Sequence, residues 1–262
     1  MVTGAAGGFG EAIARKYAQE GASVVIADIL LEAGQKVADE INEKHGDKAI
    51  ALSFDVTKKD HWETGLKQTL DKFRKLDIVM NNAGTTYRKK PSVEVTEDDF
   101  DKIIAVNCKS IYQSVQVIMP YFVERKSGVF LSTSSVAGTR VRPGQVFYGG
   151  TKGFVNVVST PNTERNKPLT VLQITQGLAA EYGPAGVRVN SICPLRGKTG
   201  LLEHFSGVPD TPEERERFAQ SVPLRRMSTA DDVANAAVFL ASDDASFISG
   251  VNFPVDGARL AV

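Results

Sequence analysis

Between Gly4 and Gly10 the chain places four glycines in seven residues, Gly4-Ala5-Ala6-Gly7-Gly8-Phe9-Gly10, directly ahead of a segment of helical period, Glu11 to Gln19. An apolar run, Ser23-Val24-Val25-Ile26-Ala27, follows and ends on Asp28. Turn, helix, strand and acid in that order are the parts of a dinucleotide-binding unit. Glycines let the backbone approach a pyrophosphate, the helix start offers unpaired N–H groups, and a carboxylate about 20 residues on can hold a ribose diol. The same stretch also suits a turn that merely packs a helix on a sheet, with Asp28 simply ending a strand. A 2′-phosphate beside Asp28 would meet like charge, and Gly4 to Gly10 holds no lysine or arginine to offset it. The expected cofactor is therefore NAD rather than NADP.

The alternation continues along the chain. An amphipathic segment, Glu32 to Lys44, precedes a strand at Ala49 to Phe54 that ends in Asp55-Val56. A helix around Asp60 to Phe73 leads to the strand Leu76 to Met80 and the turn Asn81-Asn82-Ala83-Gly84. Strands alternating with helices at this spacing predict right-handed crossovers and a parallel sheet, with ligands at the strand C-terminal ends. Asp55 and Asn81 to Gly84 fall at those ends, although turn chemistry alone also accounts for them. A helix is expected from Thr96 to Phe122, with Asn107 inside it. Asparagine has poor helix propensity, so Asn107 either bends the helix and binds water or satisfies a local backbone group. The strand Gly128 to Thr133 then delivers Ser134-Ser135 to the sheet edge.

Tyr148 and Lys152 are four residues apart, so on a helix they project one turn apart on one face. A free tyrosine titrates near pH ~10, and a nearby cation favours the phenolate, so such a pair can act as acid or base closer to neutrality. A surface tyrosine covered by a lysine stem has the same spacing.

The 262 residues suffice for one α/β domain. Thirty-one basic residues balance thirty-one acidic ones, which leaves no electrostatic footprint for nucleic acid or an anionic membrane. Cys108 and Cys193 lack metal-ligand spacing and read as core thiols in a reducing compartment. No metal is expected. No apolar run approaches the roughly 18 to 20 residues of a membrane span and no charged leader precedes a signal-like segment, so the expectation is a cytoplasmic protein whose partners are small molecules or copies of itself.

Taken together, Thr3-Gly4-x-x-x-Gly8-x-Gly10, Asp55, Asn81-Asn82-Ala83-Gly84, Asn107, Ser135, Tyr148-x-x-x-Lys152 and Arg188-Val189-Asn190-x-x-x-Pro194 resemble the short-chain dehydrogenase/reductase family over nearly the whole chain. The resemblance implies a single doubly wound Rossmann-type domain over residues 1–262, of about seven parallel strands with helices on both faces. It implies a catalytic tetrad of Asn107, Ser135, Tyr148 and Lys152. Ser135 is chosen over Ser134 because the family's serine lies thirteen positions before its tyrosine. Cofactor contacts are implied at Thr3, Gly4, Gly8, Phe9, Gly10, Asp28, Asp55, Val56, Asn82, Ala83, Gly84, Tyr148, Lys152, Pro194 and Thr199. Leu195 replaces the family's glycine after Pro194. Residues 200–222, where Gly207, Pro209 and Pro212 interrupt a charged helix, correspond to the substrate lid. A homodimer or homotetramer is also implied.

The pattern breaks in two places. The family carries a full strand before its Thr-Gly turn, but here only Met1 and Val2 precede Thr3, so the true N-terminus is expected upstream. The helix of Tyr148 and Lys152 should run on into Thr175 to Tyr182. Between them stand residues 158–173, with Pro161 and Pro168, which suit no helix interior. Removing those sixteen residues restores the family spacing from Lys152 to Glu181. Codons for Val158-Ser159, Leu169-Thr170 and Gln173 can also spell the donor, branch point and acceptor of a short intron. The segment therefore reads as an insertion or a retained intron.

The expected function is NAD-dependent interconversion of a secondary alcohol and a ketone with Tyr148 as acid/base, 3-oxoacyl reductase-like or sugar/polyol dehydrogenase-like. The alternative is a catalytically impaired nucleotide-binding homologue or a defective splice product.

Overall fold

A computed structural model describes residues 1–140, 142–156, 174–197, 200 and 202–262. They build a parallel sheet of seven strands: β1 (Val2–Thr3), β2 (Val24–Asp28), β3 (Ala49–Ser53), β4 (Ile78–Asn81), β5 (Gly128–Thr133), β6 (Val187–Pro194) and β7 (Asn252–Val255). Their order across the sheet is β3-β2-β1-β4-β5-β6-β7. The helices are α1 (Gly8–Gln19), α2 (Leu31–His45), α3 (Lys59–Phe73), α4 (Glu97–Ile104), α5 (Ser110–Arg125), α6 (Val146–Asn156), α7 (Ile174–Tyr182), α8 (Leu202–Ser206), α9 (Pro212–Gln220) and α10 (Ala230–Ala241).

The strands are apolar on both faces, as a sheet covered on both sides requires. In β2, Val24 and Ile26 join Met80, Leu131 and Ile192 in one layer, against Ile13 of α1, Val37 of α2 and Leu240 of α10. Val25 and Ala27 join Val79, Phe130 and Val189 in the other, against Trp62 of α3 and Ile118 and Phe122 of α5. The doubly wound α/β architecture expected from the sequence is the one found.

Reversal of strand order between β1 and β4 opens a crevice at the strand C-terminal ends. β1 is central but short. Val2 pairs with Ile26 and Met80, and Thr3 with Ala27, while Val24 and Val25 pair with β3 alone. The Met1 nitrogen donates to the Ile78 carbonyl at 2.9 Å, and the Met1 carbonyl accepts from Met80 N at 2.9 Å.

Two local expectations need revision, and one substitution is accommodated. The long helix expected from Thr96 to Phe122 is divided by a π-helical turn, Ala105–Lys109, which contains Asn107. Pro212 does not interrupt a helix but opens α9, where it has no N–H to leave unpaired, and the Thr211 hydroxyl caps the helix by accepting from Glu214 N. The Leu195 that stands where the family has glycine fits its turn. It is buried with Val136 and Val222, and its N–H extends the sheet by donating to Val255 O at 3.0 Å. The segment 158–173 lies outside the described residues.

Candidate active site

A cavity of about 740 Å³ fills the crevice. Gly4, Gly8, Phe9, Asp28, Asp55, Val56, Asn82, Ala83, Gly84, Ser135, Tyr148, Lys152 and Pro194, all singled out in the sequence, line it. Thr3, Gly10 and Asn107 stand behind its wall, and Thr199 lies outside the described residues.

At one end the glycine turn leads into α1. Gly4 and Gly8 adopt φ of 63° and 60°, the left-handed region in which a side chain is strained. A Cβ on Gly10 would lie 2.1 Å from the Gly4 carbonyl oxygen and 2.5 Å from Asn82 Nδ2. This cradle leaves backbone N–H groups at the start of α1 facing the cavity, a fit for a dinucleotide pyrophosphate. The Asp28 carboxylate closes the same end, accepting from Ala6 N and Leu30 N, each at 2.9 Å. Asp55 accepts from the Thr57 amide at 2.9 Å and its hydroxyl at 2.7 Å. Burial raises the Asp55 pKa, but those hydrogen bonds outweigh it and the net shift is downward.

The middle is braced by Thr3 and Asn82, both named in the sequence as cofactor contacts but here engaged with the backbone around the cavity. Thr3 Oγ1 accepts from Asn82 N at 3.0 Å and Ala83 N at 3.1 Å. Asn82 Nδ2 donates to the carbonyls of Thr3 and Gly4 at 3.0 and 3.2 Å, and its Oδ1 accepts from Thr133 Oγ1 at 3.1 Å. Thr3 and Asn82 thus tie β1, β4 and β5 together where the cavity needs a fixed floor.

At the other end Tyr148 is buried, with the Ser135 side chain beside its phenol. The neighbouring Ser134 turns away and donates to the Lys152 carbonyl at 2.9 Å. Burial pushes the Tyr148 phenol up to about 12, against the pull of Ser135 and of the Arg142 charge. Lys152 Nζ donates to Thr133 O at 2.9 Å, and burial lowers its pKa to about 8. The Arg142 charge acts on the phenol, and burial keeps Tyr148 protonated near neutral pH. Asn107 clasps Thr85 at two points, accepting from its N–H and donating to its carbonyl, each at 2.9 Å, and donates to Thr151 Oγ1 at 3.0 Å. A Cβ on Gly84 would lie 3.3 Å from Lys152 Nζ and 3.5 Å from Asn107 Oδ1, so these two groups flank one backbone position.

α8 closes this end. α8 places Phe205 against Tyr148, ring centroids 5.1 Å apart, and Gln145 Nε2 donates to His204 O at 3.2 Å. Arg142, Arg196, Lys102 and Phe205 also line the cavity and were not singled out in the sequence. The available signal was Arg196 standing directly after the Pro194-Leu195 departure. Cys108 and Cys193 are buried and form no disulfide among the described residues. Among the described residues no helix is long and apolar enough to cross a membrane, and no group of three His, Cys, Asp or Glu side chains gathers as a metal site would.

A Rossmann-type sheet, a glycine cradle ending in an acid, and a serine-tyrosine pair beside a buried lysine together define a nucleotide-dependent oxidoreductase class. The short chain dehydrogenase profile matches residues 1–164, and a second profile, described as enoyl-(acyl carrier protein) reductase, matches residues 169–258. The chain belongs to the short-chain dehydrogenase family. It is 42% identical over 259 residues to a 4-formylbenzenesulfonate dehydrogenase of Comamonas testosteroni, covering 99% of this chain and 96% of that one. It is 33% identical over 261 residues to a meso-2,3-butanediol dehydrogenase of Serratia marcescens, covering 100% and 94%. The structure of a 3-ketoacyl-(acyl-carrier-protein) reductase from Brucella melitensis complexed with NADH superposes with a TM-score of 0.85 at 35% identity, covering 98% of this chain and 96% of that one.

Proposed function

We propose that this protein is an NAD-dependent oxidoreductase that interconverts a secondary alcohol and a ketone. The observation that carries the reading is the placing of Ser135 and Tyr148 together at one end of a cavity whose other end is bounded by Asp28. A nicotinamide cofactor supplies the hydride in reduction and accepts it in oxidation. Tyr148 gives its phenolic proton to the substrate oxygen in reduction and takes it back in oxidation. Ser135 hydrogen-bonds the same oxygen and stabilises charge developing there. Lys152, fixed by Thr133, holds ribose hydroxyls, and Asn107 keeps the π-helical turn and the Thr85 backbone in register beside it. Asp28 takes the adenosine ribose diol, and its charge disfavours a 2′-phosphate. The NADH carried by the Brucella reductase and the secondary diol named for the Serratia relative support this reading.

Fluorescence titration with NADH and NADPH, followed by an alcohol and ketone panel read at the nicotinamide absorbance band, tests binding and turnover separately. Tighter NADH binding with turnover of one or more secondary alcohols or ketones is expected. NADH binding without turnover across the panel defeats the catalytic part, and tighter NADPH binding defeats the role given to Asp28.

A further inference from the structure

We propose that the substrate carries an acid group, a carboxylate or a sulfonate, held beneath the lid by Arg142 and Arg196. The inference rests on the oxidoreductase reading and narrows its substrate class. Both guanidinium groups belong to the tyrosine end of the cavity, and each lies on an aromatic ring of the lid. The Arg142 guanidinium carbon is 6.0 Å from the Phe205 ring centroid, and that of Arg196 is 3.9 Å from Phe218. Phe205 also meets Tyr148, so Arg142 and the proton donor share one ring.

Neither arginine has a carboxylate of its own. Neither guanidinium takes part in an ion pair or hydrogen bond among the described residues, and Arg196 Nε is buried without a partner. The acids nearest Arg196 are already engaged: Asp210 by Arg215, and Glu214 by Arg217 at 2.8 Å. The described acids lining the cavity are Asp28 and Asp55, both at the opposite end. Two guanidinium groups that repel each other in a half-buried site are costly to hold without an anion, and an arginine fork suits a carboxylate or sulfonate. A cofactor pyrophosphate does not serve, because the cradle at the start of α1 receives it. A neutral substrate would leave both guanidinium groups without a hydrogen-bonded anion.

The test uses the full chain with NADH and three ketones of one shape: 4-acetylbenzoate, 4-acetylbenzenesulfonate and 4-acetylbenzamide. In parallel, calorimetry measures binding of benzoate, benzenesulfonate and benzamide to the NADH-loaded protein. Either anion is expected to exceed the amide in kcat/KM and in affinity by about tenfold or more, as charged hydrogen bonds allow. The comparison between the two anions shows which acid geometry the fork prefers. Arg142→Ala and Arg196→Ala should each collapse the anion-to-amide ratio, with Arg→Lys versions restoring part of it. NADH titration shows whether each variant is folded. Should a variant fail to fold, the wild-type ratio and its decline with added sodium sulfate still decide. Reduction of the amide as well as the anions overturns the inference while the oxidoreductase reading stands. Anion binding that depends on both arginines, with no ketone reduced, upholds the anion site and removes the oxidoreductase reading. Failure of both overturns both.

Discussion

The Thr175 hydroxyl donates to the Val155 carbonyl at 2.9 Å, although twenty positions separate them. Without sixteen of those positions four remain, the spacing at which a helical threonine bonds the carbonyl one turn back. α6 and α7 thus meet as two halves of one helix would, with Tyr148 and Lys152 on the first. A chain lacking Val158 to Gln173 should fold with α6 continuous into α7. It should gain about 2 kcal/mol, the entropic cost of bringing together chain ends separated by sixteen residues. Denaturant unfolding of both chains measures this, and a lower midpoint for the shortened chain, or lost NADH binding, would sink the idea.

Tyr148→Phe keeps the ring packed on Phe205 and removes the one group placed to pass a proton to the substrate oxygen. Turnover should fall by about 10²- to 10⁴-fold. NADH affinity should persist, because the cradle at α1 is untouched. Near wild-type turnover in this variant, measured at the nicotinamide band, would transfer the acid/base role to another group.

Asp28→Asn keeps the side-chain volume and removes the charge that meets a 2′-phosphate, so the preference for NADH over NADPH should narrow by about tenfold. Parallel fluorescence titrations give the ratio. An unchanged ratio would mean that something other than Asp28 sets the choice.

Burial lowers Lys152 from 10.5 to about 8. Unfolding therefore takes up a proton between those values, and this group makes stability rise with pH across that window. Below pH 8 the lysine is charged in both states and its full cost, about 3 kcal/mol, is present. Lys152→Met keeps the stem and drops the charge, but it also loses the bond to Thr133. It should exceed the wild type by about 1–3 kcal/mol at pH 7 while losing turnover, and the difference should shrink toward pH 10.5. Urea midpoints at several pH values provide the check, and a difference that is flat or reversed contradicts it.

What the sequence made legible follows from how local each signal is. Gly128 to Thr133 could be read to the residue because an apolar run between turn residues is a short-range pattern. Asp28 could be placed at a strand end for the same reason. At Asn107 the sequence left a helix bend and a local backbone bond as alternatives, because its partners Thr85 and Thr151 come from other elements. Proline was an ambiguous guide: Pro212 starts a helix, and Pro120 sits inside α5 on its exposed side. The pair Arg142 and Arg196 carried no local mark, since their meaning comes from the lid rings they share a cavity with. Lysine one turn from tyrosine was a local signal, whereas its hydrogen bond to Thr133 and the Arg142 charge near the phenol come from other elements.

Gly10 joins the cofactor cradle to the core without touching the cavity. A methyl group there would press on the Gly4 carbonyl and on Asn82 Nδ2, the amide that holds Thr3 and Gly4 in place. Both obstacles are fixed, so α1 itself would have to move outward, carrying its N-terminal N–H groups away from the pyrophosphate position. Gly10→Ala should cost about 1–3 kcal/mol of stability, as overpacking does, and weaken NADH binding in the same variant. Gly7→Ala is the control. Its φ of −172° is ordinary extended backbone and its Cβ would meet nothing within 4 Å, so its unfolding midpoint should stay at the wild-type value. If both alanines unfold at the wild-type midpoint, the close approach of α1 to Gly4 and Asn82 does not hold the cradle together.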